Sequence, residues 1–205
     1  AKAFVFKSNS DVVASLRAGK IDYAFLVDLE AVNYERYSSD LYYCTNAFLT
    51  EGHGVPVNKN KPELRDAISA VIDRYHADGT MEKITKHWFV DKESDYQVEE
   101  VPAADGPTLK VAITTTREPL AFIMDGEPQG LCIELIKRIA YELGMSVSFS
   151  DMDFAGSLAA VTSGKCDVAL ATSITDERKK SVDFTSAYMD VHHVMMKKIA
   201  GGETQ

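Results

Sequence analysis

Asp11-Val-Val-Ala-Ser-Leu-Arg-Ala-Gly-Lys-Ile-Asp-Tyr-Ala-Phe-Leu-Val-Asp28 and Gly156-Ser-Leu-Ala-Ala-Val-Thr-Ser-Gly-Lys-Cys-Asp-Val-Ala-Leu-Ala-Thr-Ser173 are two versions of one unit. In each, a short amphipathic helix is stopped by a glycine, then come Lys-x-Asp and an apolar strand. Alignment on Gly19/Gly164, Lys20/Lys165, Asp22/Asp167 and Ala24/Ala169 places the strand ends at Asp28 and Ser173. Two equivalent αβ units, each with a polar residue at the carboxyl end of a strand, point to a two-lobed binder with a cleft. In open α/β sheets ligands sit outside those strand ends.

The flanking sequence continues the alternation. Residues 3–6 read as a strand, and Ser8 or Ser10 caps a helix that buries Val12, Val13 and Leu16 and stops at Gly19. The near-continuous apolar run 21–27 predicts a strand covered on both faces. An amphipathic helix is expected over 29–37 and a short strand over 53–57. Pro62 opens a helix whose stripe is Leu64, Ala67, Ile68, Val71, Ile72 and Tyr75. Asp78-Gly79-Thr80 breaks it, and a second helix carries Met81, Ile84 and Trp88.

Residues 91–107 are acidic and close on Pro102-Ala-Ala-Asp-Gly-Pro107, the composition of a linker. Beyond them the pattern predicts a strand at 109–114, a turn at Asp125-Gly126, and a helix over 130–143 on Leu131, Leu135, Ile139 and Leu143. A strand at 145–149 leads into the second copy of the unit, and a polar tail follows Gly201-Gly202. Strands alternating with helices indicate an α/β fold with a largely parallel sheet.

The net charge of −9 over 205 residues gives no electrostatic case for nucleic acid or an anionic membrane. No apolar run approaches the length of a membrane span. Cys44, Cys132 and Cys166 show no ligand spacing and read as small buried residues; a Cys132–Cys166 bridge is an unsupported alternative. No signal-peptide pattern is present, and the chain begins as if cut from something longer.

From residue 151 onward the sequence resembles a known family. Met-Asp-Phe-Ala-Gly (152–156), Gly-Lys-Cys-Asp (164–167), Ser-Ile-Thr-Asp-Glu-Arg (173–178) and Val-Asp-Phe-Thr-Ser-Ala-Tyr (182–188) look like the first lobe of amino-acid-type solute-binding proteins. These have the type 2 periplasmic-binding fold and are close to glutamate-receptor ligand-binding domains. Residues 1–90 resemble the other end of the family, including Lys-His-Trp-Phe (86–89). The resemblance implies two lobes of mostly parallel sheets flanked by helices, in permuted or tandem-fragment order. The expected layout is a partial lobe 2 (1–60), closing helices that pack on a lobe 1 (61–90), a linker (91–107), a lobe 1 (108–198) and a tail (199–205). The order fits the end of one module followed by the start of the next; a circular permutant, with 62–198 closing as one lobe, is the alternative.

The same resemblance implies a non-enzymatic, periplasmic or extracellular receptor, tethered to a membrane in its parent protein, that closes about a hinge on a polar amino acid. It serves a membrane permease or a fused signalling domain, and it needs no cofactor. Arg178 is the expected carboxylate clamp, because its planar fork binds both oxygens; a surface arginine in the run 178–180 is the plain alternative. Ser173 and Thr172 would complete the anion cradle, although the chain is one residue shorter than relatives around 171–172. Asp28 matches the family's ammonium-binding carboxylate, or caps a helix. Phe154 matches the aromatic flanking the ligand side chain, or packs in the core. Thr114 and Arg117 stand where relatives often have an acidic residue and an aromatic. Arg117 would favour an acidic ligand side chain or point to solvent. In a tandem fragment Asp28 and Arg178 serve different clefts.

The readings as an enzyme have less behind them. There is no nucleophile elbow, phosphate-binding loop, zinc-helix signature or CxxC pair. His192 and His193 are strand neighbours that point to opposite faces, a poor metal pair. A dehydratase on the same fold remains the enzymatic alternative. An incomplete lobe 2 would leave a strand edge open, which favours a homodimer or exchanged assembly.

Overall fold

The computed structural model describes residues 2–6, 8–89 and 104–199. In chain order it forms α1 (Asn9–Arg17), β1 (Ala24–Val27), α2 (Asp28–Arg36), β2 (Leu41–Tyr43), β3 (Leu49–Gly54) and β4 (Pro56–Val57). There follow α3 (Pro62–Ala77), α4 (Thr80–Phe89), β5 (Thr108–Ile113), β6 (Thr116–Arg117), β7 (Ala121–Met124), β8 (Glu127–Gln129) and α5 (Leu131–Glu142). The last elements are β9 (Ser146–Asp151), α6 (Phe154–Thr162), β10 (Val168–Ala169), β11 (Thr172–Ser173), α7 (Asp176–Lys179), β12 (Asp183–Phe184) and β13 (Met189–Lys198).

Two compact units result. The smaller comprises Ala1–Thr50 with Val191–Gln205, and the larger Glu51–Asp190. One copy of the repeated sequence lies in each. Both copies begin on a capped helix: Ser8 Oγ accepts from Asp11 N, and Asp153 Oδ1 accepts from Gly156 N. Both helices stop at a glycine in the left-handed region, Gly19 at φ 68° and Gly164 at φ 76°, where a Cβ would be strained. The local rules written in the two segments therefore act alike in both units.

In the smaller unit β1 pairs antiparallel with β13, whose far end pairs antiparallel with β2. Val13 and Leu16 of α1, Ala24 and Leu26 of β1, Ala31, Leu41, Val194 and Met196 form its core. Burying one such aliphatic side chain contributes about 1.5–3 kcal/mol.

Two expectations fail here. Residues 3–6 are not a strand; Val5 is fully exposed, and no ladder partner is present for them among the described residues. An extended apolar stretch without a neighbour to take its backbone groups does not form a strand. The run 21–27 is also not covered on both faces, since Tyr23 and Phe25 are exposed while Ala24 and Leu26 are buried. Its strand pairs antiparallel, and alternate residues face solvent.

The larger unit is built on a sheet of order β12-β4-β10-β5-β9. Its centre is parallel, β10 with β5 and β5 with β9, because α5 and α6 supply the crossovers that parallel neighbours need. β4 joins antiparallel to both β10 and β12. Asn58, just beyond β4, is buried and donates from Nδ2 to the Val161 carbonyl, which ties this strand to the end of α6. A three-stranded ribbon β6-β7-β8 turns at Asp125 and Gly126, both at positive φ.

α3 and α4 pack on α5 in the same unit. The contact is apolar through Ile68, Ile72, Ile84, Leu135 and Ile139, all buried. It is also polar: Trp88 Nε1 donates to Glu134 Oε2 at 2.8 Å, and Tyr75 Oη donates to Glu142 Oε1 at 2.6 Å. Glu134 is buried and also receives Arg138 Nε, as a buried carboxylate requires. Of the expected linker, residues 91–103 lie outside the described residues, as do 200–205 of the tail. Cys132 and Cys166 are buried free thiols and Cys44 a half-buried one, so no Cys132–Cys166 bridge forms. No described helix is long and apolar enough to cross a membrane.

Candidate ligand-binding site

The larger unit gathers several of the expected residues around the segment 170–178. Asp153 caps α6 and makes Phe154 its first residue. Thr175 caps α7: its Oγ1 accepts from the Arg178 backbone N–H at 3.3 Å. With both helix starts fixed, the Arg178 side chain turns back, and its guanidinium lies 4.9 Å from the centre of the Phe154 ring. Arg178 Nη1 donates to the Ser173 carbonyl at 2.7 Å.

Arg178 is therefore not a plain surface arginine. Its neighbours Lys179 and Lys180 are exposed and pair with Asp176 and Glu177 one turn back, whereas Arg178 is half-buried. Among the described residues it forms no ion pair. Burial lowers its pKa below the ordinary arginine value, the charge of Glu51 opposes that shift, and Arg117 adds to it. A guanidinium stays charged regardless. It carries five N–H donors, so one carbonyl bond leaves most of the fork free for an oxyanion.

The other expected residues are placed as follows. Ser173 is buried, and its carbonyl, not its hydroxyl, receives Arg178. Thr172 is fully buried, and its hydroxyl donates to the Leu170 carbonyl at 3.0 Å; it presents no side chain to solvent. Thr114 is half-buried at the end of β5, before a loop held by Thr115 Oγ1 donating to Asp151 Oδ2 at 2.6 Å. Arg117 does not simply point to solvent. It is half-buried and donates from Nη1 to the Ala171 carbonyl.

Ala171 sits at φ 53°. A left-handed alanine costs about 1–2 kcal/mol. Behind it, Cys132 Sγ and Tyr188 Oη lie 3.3 Å apart and fully buried. Burial pushes the Cys132 thiol up to about 11 and raises Tyr188 well above its ordinary value. Three features escape the sequence reading: Arg117 gripping Ala171, the charge of Glu51 beside Arg178, and this buried pair. Each joins residues far apart in the chain, and no local spacing announces them.

Asp28 lies in the smaller unit as the first residue of α2, with Val27 in the cap position. Its Oδ1 accepts from Leu29 N at 2.9 Å and from His192 N at 3.3 Å. A carboxylate there is favoured by the helix dipole, so it is a first-turn residue and not the cap. His192 and His193 part company: the first meets Thr50 Oγ1 at 2.9 Å, and the second lies beside the Phe48 ring. Among the described residues no three His, Cys, Asp or Glu side chains are grouped to hold a metal ion. Phe122 packs edge-on against Trp88.

The chain is similar to known proteins over parts of its length. It is 37% identical over 91 residues to the probable histidine-binding protein of Campylobacter jejuni, which covers 44% of this chain and 36% of that protein. To the arginine-binding extracellular protein ArtP of Bacillus subtilis it is 35% identical over 74 residues, 36% of this chain and 29% of that protein. Among solved structures, an ancestral arginine-binding protein bound to arginine is 45% identical over 38% of this chain and 35% of its own, with a TM-score of 0.37. The chain thus spans about a third of the length of these curated relatives. The family described as bacterial extracellular solute-binding proteins, family 3, matches residues 2–91 and 109–202. Since that match takes in the repeated unit ending at Asp28 and the one leading to Arg178, the chain belongs to the bacterial extracellular solute-binding proteins, family 3.

Proposed function

We propose that the larger unit holds the carboxylate of an amino acid, with Arg178 as the clamp and the chain acting as a receptor rather than an enzyme. The observation that carries this reading is the Arg178 guanidinium itself. It is half-buried, oriented by the Phe154 ring and the Ser173 carbonyl, and free of any ion pair among the described residues. A planar fork held this way is pre-organised for the two oxygens of a carboxylate. The relatives named for histidine and arginine binding support an amino acid as the ligand class.

Phe154 would flank the ligand, Ser173 and Thr172 would shape the cradle through their backbone, and Thr114 and Arg117 would border the ligand side chain. Asp28, a half-buried carboxylate in the smaller unit, suits an ammonium group. The edge of β1, which has no second ladder partner among the described residues, supports self-association of the chain.

Thermal unfolding against a panel of amino acids tests the reading. A ligand at 100 times its Kd stabilises by about 2.7 kcal/mol, a clear shift in melting temperature. The shift should vanish in Arg178→Ala with the ligand-free melting temperature little changed. A shift that survives that substitution removes Arg178 from the site. Product formed on incubation with a candidate substrate would restore the dehydratase reading.

For the output we take delivery to a membrane permease, with the parent protein tethered at the membrane. Loss of labelled amino-acid uptake in a deletion strain supports that role. Intact uptake with a lost ligand response points to a fused signalling domain instead.

A further inference from the structure

Positive φ outside glycine occurs, among the described residues, at Asp125 and Ala171. Asp125 sits in the turn between β7 and β8, where such a conformation is ordinary. Ala171 is buried and belongs to no hairpin. It stands where the chain leaves one sheet for another. β10 ends at Ala169, parallel to β5, and β11 begins at Thr172, antiparallel to β3. Residues in a sparsely populated backbone region persist only where their surroundings over-determine them, and they gather at ligand clamps.

The surroundings of this corner are specific. Thr172 Oγ1 donates to the Leu170 carbonyl at 3.0 Å, spanning Ala171. The Ala171 carbonyl is held by Arg117 Nη1. The Arg117 backbone is itself set in the ribbon, paired with Ala121. A guanidinium has five N–H donors, so the bond to Ala171 coexists with the other interactions that Arg117 makes. Two residues beyond Ala171, the Ser173 carbonyl receives Arg178 Nη1 at 2.7 Å. β11 is 2 residues long, against about five or six for an ordinary strand, so its own ladder is a short anchor. The corner before it therefore decides where the Ser173 carbonyl points. The line of contact runs from Arg117 through Ala171 to the clamp.

We propose that Arg117 is a positioning residue for the amino-acid clamp: by holding the Ala171 carbonyl it keeps the left-handed corner that sets the Ser173 carbonyl, and with it the Arg178 fork. The proposal rests on the amino-acid reading above and goes beyond it, because Arg117 then acts through the backbone and not on the ligand. Without that hold the alanine relaxes toward negative φ, the corner opens, and the fork loses its angle to the ligand carboxylate. Glycine populates the left-handed region about as readily as the right-handed one, so Ala171→Gly keeps the corner without help.

Calorimetric titration of the full 205-residue chain with glycine, glutamine, histidine and arginine tests this, in the parent, in Arg117→Met and in Arg117→Met with Ala171→Gly. Arg117→Met keeps an unbranched stem and removes the donors. Its expected effect is a loss of affinity of about tenfold, the scale of the strain at a left-handed alanine. The loss should be equal, within about threefold, for every amino acid that binds, because all share the α-carboxylate. Adding Ala171→Gly should bring affinity back to within about threefold of the parent. A loss that depends on the ligand side chain places Arg117 on the ligand and overturns the proposal. So does a loss that Ala171→Gly leaves in place, or an affinity that Arg117→Met leaves unchanged; in each case the amino-acid reading stands. Failure of every amino acid to bind the parent overturns both. If Arg117→Met does not fold alone, the double variant decides: it should fold and bind like the parent, and its failure to do either overturns the proposal.

Discussion

The Arg178 guanidinium lies 4.9 Å from the centre of the Phe154 ring, so a cation from α7 rests on the first side chain of α6. A cation over an aromatic face is worth about 0.5–2 kcal/mol according to its exposure. The ring also fixes the plane of the fork. Arg178→Lys keeps the charge but loses that plane and the paired donors. It should weaken ligand binding by about tenfold or more. Phe154→Leu, which loosens the fork, should have a smaller effect in the same direction. Calorimetry on both variants checks the order; Arg178→Lys binding as tightly as the parent would contradict a bidentate clamp.

Cys132 and Tyr188 predict weakness to alkali. The folded Cys132 thiol titrates near 11, raised from 9.0 by burial first and foremost. Below the unfolded value both states hold the proton, and stability is unaffected. As pH rises from 9 toward 11 the unfolded chain loses the proton and the folded one keeps it, so stability falls. Two units correspond to about 3 kcal/mol. Tyr188 is shifted in the same direction. Urea unfolding at pH 8, 9.5 and 10.5 should show this decline, and Cys132→Ala should flatten part of it at the cost of a lower starting stability.

The repeat separates a structural aspartate from an idle one. Asp167 Oδ2 accepts the Lys110 backbone N–H at 2.8 Å, and Asp167 Oδ1 meets Lys61 Nζ at 2.5 Å. Its counterpart Asp22 is exposed. Lys61 is half-exposed, so the ion pair adds little, and the backbone bond dominates. Asp167→Ala should cost about 1–3 kcal/mol, and Asp22→Ala should stay within about 0.5 kcal/mol. Equal losses in denaturant titrations would remove this distinction.

β1 offers a docking edge. Among the described residues it has a ladder on one side, with β13. Phe25 on its outer face is 61% exposed and packs edge-on against Phe48, itself 58% exposed. An unpaired edge beside exposed aromatics favours pairing with another strand. Sedimentation of the chain should show a dimer that Phe25→Lys dissociates. A monomer at tens of micromolar before any substitution would refute the expectation.

The two short helices with their caps and glycine stops, the buried stripe of α3, the turn at 125–126 and the place of α5 are all legible from residue type and spacing. They depend on interactions within a few residues. Residues 3–6 show the limit of such reading. Their composition is that of a strand, but strand formation needs a partner that no local pattern supplies. The exposed face of β1 is a similar case, because pairing direction decided which side chains met solvent.

At the site, Arg178 and Phe154 were named through the resemblance of their motifs to the family, and residue spacing alone left Arg178 open as a surface arginine. Neither specified that Arg178 would lie on Phe154, that Arg117 would grip Ala171, or that Thr172 would be sealed in the core. Those relations join β6, α6, α7 and the chain after β10, elements separated by tens of residues. Local sequence determined where helices start and stop. Only tertiary packing decided which charges share a space, because the energy of a guanidinium depends on its burial and its neighbours rather than on its place in the chain.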